Sequence, residues 1–233
     1  MTTTLFAASH GTSSPHGRLA VSRLVDAVAR AVSVPVVPGH VDVEQPDVAS
    51  AIADSAGTTR AVIVPLLLSA GYHVHVDLAE AALTAAVPTL VTPALGADER
   101  LVDVVVMRLA EAGYDRTDSV VLAAAGSSDP RAVDDCRATG RMLAARLGAN
   151  VTVGFLSASA PSLADAVAEA RRDAPNARVV VATYLLAPGY FFDLVGRVDA
   201  DVVCAPLLTP TSTPRQLVEI VIDRAREATA GPR

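Results

Sequence analysis

Hydrophobic and polar positions follow two periods along this chain. Short apolar runs of Val, Ile, Leu and Ala alternate with longer stretches whose apolar residues fall three and four apart. The first pattern suits buried strands and the second suits helices packed by one face. Residues 4 to 9 read as strand one, which runs into Ser9-His10-Gly11. His10 to Gly17 reads as a polar loop. Leu19, Val21, Leu24, Val25 and Val28 place a helix over 18 to 32, ended by Pro35. Val36 to Val43 reads as strand two, Glu44-Gln45-Pro46 as a turn, and Asp47 to Ala56 as a short helix capped by Asp47 or a neighbour. Strand three covers 61 to 68. It feeds Ser69, Gly71, Tyr72, His73 and His75, with Asp77 beyond. A helix over 78 to 86, a strand over 89 to 91 and a helix over 99 to 112 complete the series.

The series then restarts. Val120 to Ser128 mirrors Leu5 to Ser13, and Asn150 to Phe155 mirrors strand two. Ala160-Pro161-Ser162 mirrors Gln45-Pro46-Asp47. Val179 to Leu186, followed by Gly189-Tyr190, mirrors strand three with Gly71-Tyr72. A final helix near 214 to 228 mirrors 99 to 112. Copies this long are a domain duplication and not a short-repeat array. Strands alternating with helices predict an α/β fold with parallel sheets covered on both faces. The reading is two similar flavodoxin-like domains, 1–115 and 116–233.

The duplication is an internal control. His10 aligns with Ala125, Glu44 with Ser159, and His73 with Phe191. All five histidines lie in the first 75 residues. A residue needed only for folding should be needed in both copies. The polar strand ends of the first copy are therefore candidates for chemistry, with the second copy closing over them. In open parallel sheets, ligands sit beyond the carboxyl ends of the strands, where the strand order reverses. His10, Glu44 and His73 each follow a strand on that side. Imidazole and carboxylate together suit divalent iron, cobalt, nickel or zinc, and imidazole also accepts protons near neutral pH.

Composition removes several alternatives. The chain has 233 residues and a net charge of −6, which argues against nucleic acid. All basic side chains are arginine, so Schiff-base and Walker-type lysine chemistry is excluded. Cys136 and Cys204 form no CxxC pair and read as inert buried thiols in a reducing cytoplasm. No apolar run approaches the ~18 residues needed to span a membrane.

Ala8-Ser9-His10-Gly11-Thr12, Val41-Asp42-Val43-Glu44-Gln45-Pro46 and Val64 to Val74 with Asp77 together resemble the sirohydrochlorin chelatases. The resemblance covers nearly the whole chain in the long, duplicated form of that family. It implies a lyase-type enzyme that inserts Fe²⁺ or Co²⁺, with Ni²⁺ also compatible, into a tetrapyrrole for sirohaem or cobalamin. The metal is a substrate, and no tightly bound cofactor is expected. His10 and His73 would match the two active-site histidines, one ligating the metal and one or both taking pyrrole protons. Glu44 would match the acidic position that holds metal or accepts a proton. Gly11, Thr12, Ser13, Ser69, Gly71 and Tyr72 would line the carboxylate-rich macrocycle, and Arg18, Arg131 and Arg197 are candidate donors by location. His40 and His75 depart from the usual pattern, and their roles stay open. His16 reads as a surface residue. The expected partners are sirohydrochlorin and a divalent metal, without nucleic acid or membrane, and the chain is expected to be a monomer. A metal or tetrapyrrole carrier is the alternative. A histidine phosphatase is disfavoured because Ser9 stands where an arginine would hold the phosphate.

Overall fold

The computed structural model describes residues 2–69, 71 and 76–230. The first half contains β1 (Thr3–Ser9), α1 (Pro15–Ala31), β2 (Val36–His40), α2 (Val48–Asp54), β3 (Arg60–Pro65), α3 (Leu78–Thr84), β4 (Thr89–Val91) and α4 (Glu99–Glu111). The second contains β5 (Ser119–Ala124), α5 (Pro130–Leu147), β6 (Val151–Phe155), α6 (Leu163–Asp173), β7 (Val179–Tyr184), α7 (Tyr190–Val195), β8 (Val202–Val203) and α8 (Arg215–Ala230). Each half makes a four-stranded parallel sheet, ordered β2-β1-β3-β4 and β6-β5-β7-β8. β1 therefore lies between β2 and β3, and the order reverses beside it. In register, Ser9 lies opposite His40 and Ala8 opposite Pro65.

The strand period decides which core each side chain joins. Leu5 and Ala7 of β1 face a central core that also takes Leu122 and Ala124 of β5 and Val180 and Ala182 of β7. Phe6 and Ala8 face the opposite way, onto Val48, Ile52 and Leu78 of α2 and α3. Val121 and Ala123 do the same in the second half, against α6. α1 buries Ala20, Leu24, Val25 and Val28 at helical spacing. Each such leucine or valine contributes about 1.5–3 kcal/mol.

The halves exchange their last helices. α4 packs on β7 and α5, whereas α8 packs on β3 and α1. Buried Arg108 of α4 donates to Pro206 O (3.0 Å) and Leu207 O (2.8 Å) in the second half. At the matching position, Arg224 of α8 donates to Ala94 O (3.1 Å) in the first. A one-sided apolar helix does not itself say which sheet it will cover.

Several boundaries differ from the sequence reading. β2 stops at His40 and not Val43, because the chain turns there to bring Pro46 O to the His40 N–H (3.0 Å). β3 stops at Pro65 and not at 68. Leu66 to Leu68 are apolar for the core beyond the sheet, where Leu95 N–H donates to Leu67 O (2.8 Å) and Tyr184 reaches Leu68 O (3.4 Å). α1 starts at Pro15, inside the expected loop, because Ser14 caps it by accepting from Gly17 N–H. Proline at the first helical position reinforces the start. α5, capped by Asp129 before Pro130, has no counterpart in the sequence reading.

Candidate active site

Three connections leave the carboxyl ends of β1, β2 and β3. The first begins at His10 and turns sharply at Gly11, where φ is +87°. This conformation favours glycine. A Cβ there would also lie 2.9 Å from the Glu44 amide nitrogen, so the turn runs directly against the β2 connection. Two bonds fix the approach: Asp42 N–H donates to His10 O (3.2 Å), and Thr12 N–H donates to Glu44 Oε1 (2.8 Å). The geometry thus brings His10, Gly11, Thr12 and Glu44 together at neighbouring strand ends. Exposed Ser13 follows, and its carbonyl accepts from Arg18 Nη2 (3.2 Å).

Behind Glu44 lies a polar pair that the sequence reading left without a role. Ser9 is buried, and its Oγ lies 2.9 Å from His40 Nδ1. That nitrogen is 4.0 Å from Glu44 Oε1. A buried hydroxyl is costly without a partner, and the largely covered His40 ring supplies one. On the open side, Arg18 Nε lies 3.9 Å from Glu44 Oε2, with the arginine side chain 52% exposed and the glutamate 18%. Just beyond, Asp47 caps α2 by accepting from Ser50 N–H (2.8 Å) and Ser50 Oγ (3.0 Å). Those bonds hold its carboxyl below the usual range.

Gly71 N–H donates to Ser69 O (3.1 Å), and both residues also approach the second half. Burial and the charge of Asp135 push the Cys136 thiol of α5 up to about 11, and the neighbouring Ser69 opposes that rise. A Cβ on Gly71 would lie 3.4 Å from Ser127 Oγ. The reverse contact also exists: Pro188 O presses on Gly17, and Gly189 lies beside Thr12 Oγ1. Each half's third-strand connection thus covers the first connection of the other. Tyr72, His73 and His75 lie outside the described residues. Among the described residues, no group of three or more His, Cys, Asp and Glu is arranged to hold a metal, and no helix is long and apolar enough to cross a membrane.

The remaining arginines divide. Arg131 is bound to its own cap residue Asp129, through Nε (3.1 Å) and Nη2 (2.8 Å). Arg197 is exposed just after α7. His16 is exposed in the first turn of α1, as expected.

A duplicated parallel α/β protein with its polar groups gathered at the β1, β2 and β3 ends is the class that fold and site define. The family model CbiX matches residues 4–112 and again 119–228, and the chain belongs to the CbiX family. It is 34% identical over 142 residues to a sirohydrochlorin ferrochelatase from Priestia megaterium, a match covering 57% of this chain. The match spans about half (53%) of that relative's length. Among solved structures, SirB from Bacillus subtilis with Fe³⁺ superposes with a TM-score of 0.82 at 21% identity, covering 99% of this chain and 96% of that one. The sirohydrochlorin chelatase SirB from Bacillus subtilis subspecies spizizenii, in complex with cobalt, gives a TM-score of 0.80 at 19% identity, covering 100% and 97%. At these identities the likeness is one of fold.

Proposed function

We propose that this protein is a sirohydrochlorin chelatase, a lyase-type enzyme that inserts Fe²⁺ or Co²⁺ into the free tetrapyrrole. The working residues are His10, Glu44 and His73 in the half 1–115, and the half 116–233 closes over them as part of a single monomeric chain. The observation that carries the reading is the Thr12–Glu44 bond under Gly11. It fixes a carboxylate beside the residue that follows His10, at the point where strand order reverses. Membership of the CbiX family and the named activity of the Priestia megaterium relative support it.

The chemistry follows from the donor set. Insertion exchanges two pyrrole N–H protons for one M²⁺, so the site must hold a metal weakly and accept protons on the same side of the macrocycle. Glu44 and the imidazoles of His10 and His73 offer carboxylate and nitrogen ligands of the type that divalent iron and cobalt accept. An imidazole that is not ligating takes the proton. Few protein ligands leave coordination positions for the pyrrole nitrogens. Metal ligands must be deprotonated, so insertion slows in acid. The 11–14 turn offers backbone N–H groups and hydroxyls to the carboxylates of the macrocycle, as does the matching turn at Gly126 to Ser128. Ser69 and Gly71, with Tyr72 next to them in sequence, are the further groups assigned to the macrocycle.

The test is anaerobic insertion followed by the absorbance of sirohydrochlorin, with Fe²⁺ and Co²⁺ separately. The wild-type chain should accelerate insertion. His10→Ala, His73→Ala and Glu44→Gln should each lose roughly 10²-fold or more. Metal and tetrapyrrole binding with no acceleration over the uncatalysed rate would make the protein a carrier instead.

A further inference from the structure

Arg18 stands where stability alone would not place it. It lies in the first turn of α1, a helix with no acidic residue there, and a cation at that end opposes the helix dipole. Its contacts are loose. Nη2 donates to Ser13 O at 3.2 Å, and Nε faces Glu44 Oε2 at 3.9 Å. That separation is longer than a charge-assisted hydrogen bond of about 2.7–2.9 Å. The guanidinium is drawn to the carboxylate without being locked to it. Glu44 Oε1 is already occupied by Thr12 N–H, so the oxygen facing Arg18 is the one turned toward an incoming cation.

The second half sharpens the point. The positions matching Arg18 and Glu44 hold Val133 and Ser159, so both partners of the ion pair are absent together. The arginine that the second half does carry at its helix start, Arg131, is bound to its own cap residue. Arg18 is therefore the helix-start arginine that faces a carboxylate of the site.

A divalent metal on Glu44 Oε2 would stand close to the guanidinium, like charge against like. Arg18 must withdraw for the metal to bind. Its side chain is half-exposed, and its planar fork matches a carboxylate better than any point charge does. Resting on the chelatase reading, we propose that Arg18 changes partners: it screens Glu44 in the empty site, passes to a carboxylate of the arriving tetrapyrrole, and so opens Glu44 to the metal once the macrocycle is seated. Arg18 is then a positioning residue that couples the two substrates and orders their binding.

The experiment is an equilibrium Co²⁺ titration of the whole chain without tetrapyrrole, for wild type, Arg18→Gln, Arg18→Lys and each change combined with Glu44→Gln. Arg18→Gln should bind Co²⁺ about two- to fivefold tighter than wild type, the size expected for a half-exposed ion pair. Arg18→Lys should stay near wild type. The gain should vanish in the Glu44→Gln background. In insertion assays, Arg18→Gln should raise KM for sirohydrochlorin about tenfold with little change in kcat, and Arg18→Lys should recover part of it. Unchanged or weaker Co²⁺ binding by Arg18→Gln would overturn the proposal. So would a gain that survives Glu44→Gln, or an unchanged KM. If the wild-type chain inserts no metal, the chelatase reading falls with the tetrapyrrole step, whereas the cobalt titration still judges the competition between Arg18 and metal for Glu44.

Discussion

The two first-strand connections have nearly the same backbone and opposite chemistry. Gly11 and Gly126 share a φ of +87°. Thr12 N–H donates to Glu44 in one, and Ser127 N–H donates to Ser159 Oγ (3.2 Å) in the other. Ser9, His10, His40 and Glu44 have as counterparts Ala124, Ala125, Phe155 and Ser159. Phe155 fills with carbon the place where His40 needs Ser9, and it is 2% exposed. Folding therefore asks only for a glycine turn and a small acceptor at the second strand end. A carboxylate with the His40 imidazole 4.0 Å away, beside a turn that begins at His10, exceeds that requirement. The third-strand connections differ in another way. Twelve residues separate β3 from α3, but five separate β7 from α7. The longer connection carries His73.

The sharpest way to break this comparison is to exchange the acceptors. Glu44→Ser should keep the Thr12 turn, because Ser159 does the same work in the second half. It should nevertheless lower sirohydrochlorin metallation by roughly 10²-fold. Ser159→Glu places a carboxylate in the second turn, but Ala125 supplies no imidazole beside it. Activity should then fall far less than in Glu44→Ser, at most about tenfold. Comparable losses in both variants, with both folded by circular dichroism, would mean that the halves share the work and that the asymmetry of the strand ends has another cause.

Much of this was legible in the sequence, and the reasons are physical. Buried parallel strands read as continuous apolar runs, so β1, β3, β5 and β7 announce themselves. Comparing the two copies singles out His10 and Glu44, because the shared turn cancels and the polar difference remains. The Ser9–His40 contact was harder to see. It is a register relation between neighbouring strands, and neither residue is unusual alone, although Phe155 at the matching place in the second copy carried the signal. Ser14-Pro15 and Asp129-Pro130 are helix starts by their cap residues, and the surrounding polar loops obscured them. The exchange of α4 and α8 left no local trace. Their apolar faces fit either sheet, and the choice is made by contacts such as Arg108 to Pro206, far apart in sequence.

That exchange sets the next comparison. Arg108 and Arg224 do the same job from opposite halves, but Arg108 is 4% exposed and also reaches Ser212 Oγ (3.1 Å) and Glu111 (2.7 Å). Arg224 keeps 17% of its side chain in solvent. Arg108→Met leaves two buried carbonyls without donors and should cost about 3 kcal/mol. Arg224→Met should cost about 1 kcal/mol, because water can replace part of the loss. Urea unfolding of the two variants measures the difference. Equal costs would show that the second contact is as dry in solution as the first.

The smallest effect concerns the entry to those helices. Asp98 caps α4, accepting from Arg100 N–H at 2.9 Å, and Arg100 also reaches Asp223 of α8 at 2.6 Å. The matching residue before α8 is Pro214, so this ion network belongs to one helix of the pair. Burial raises the Asp98 pKa, but the bonds and charge of Arg100, with Arg224 behind, outweigh it and hold the carboxyl below its ordinary 3.8. A depressed pKa means that the folded state favours the ionised form. Its contribution is therefore complete above about pH 4 and is lost as pH falls through the folded-state value. Asn caps a helix as well as Asp does, so Asp98→Asn removes the charge and keeps the cap. The variant should be about 1 kcal/mol less stable than wild type at pH 7, and the two stabilities should converge below pH 4. A gap that persists undiminished into acid would assign the loss to the cap geometry and leave the Arg100 network without a stabilising role.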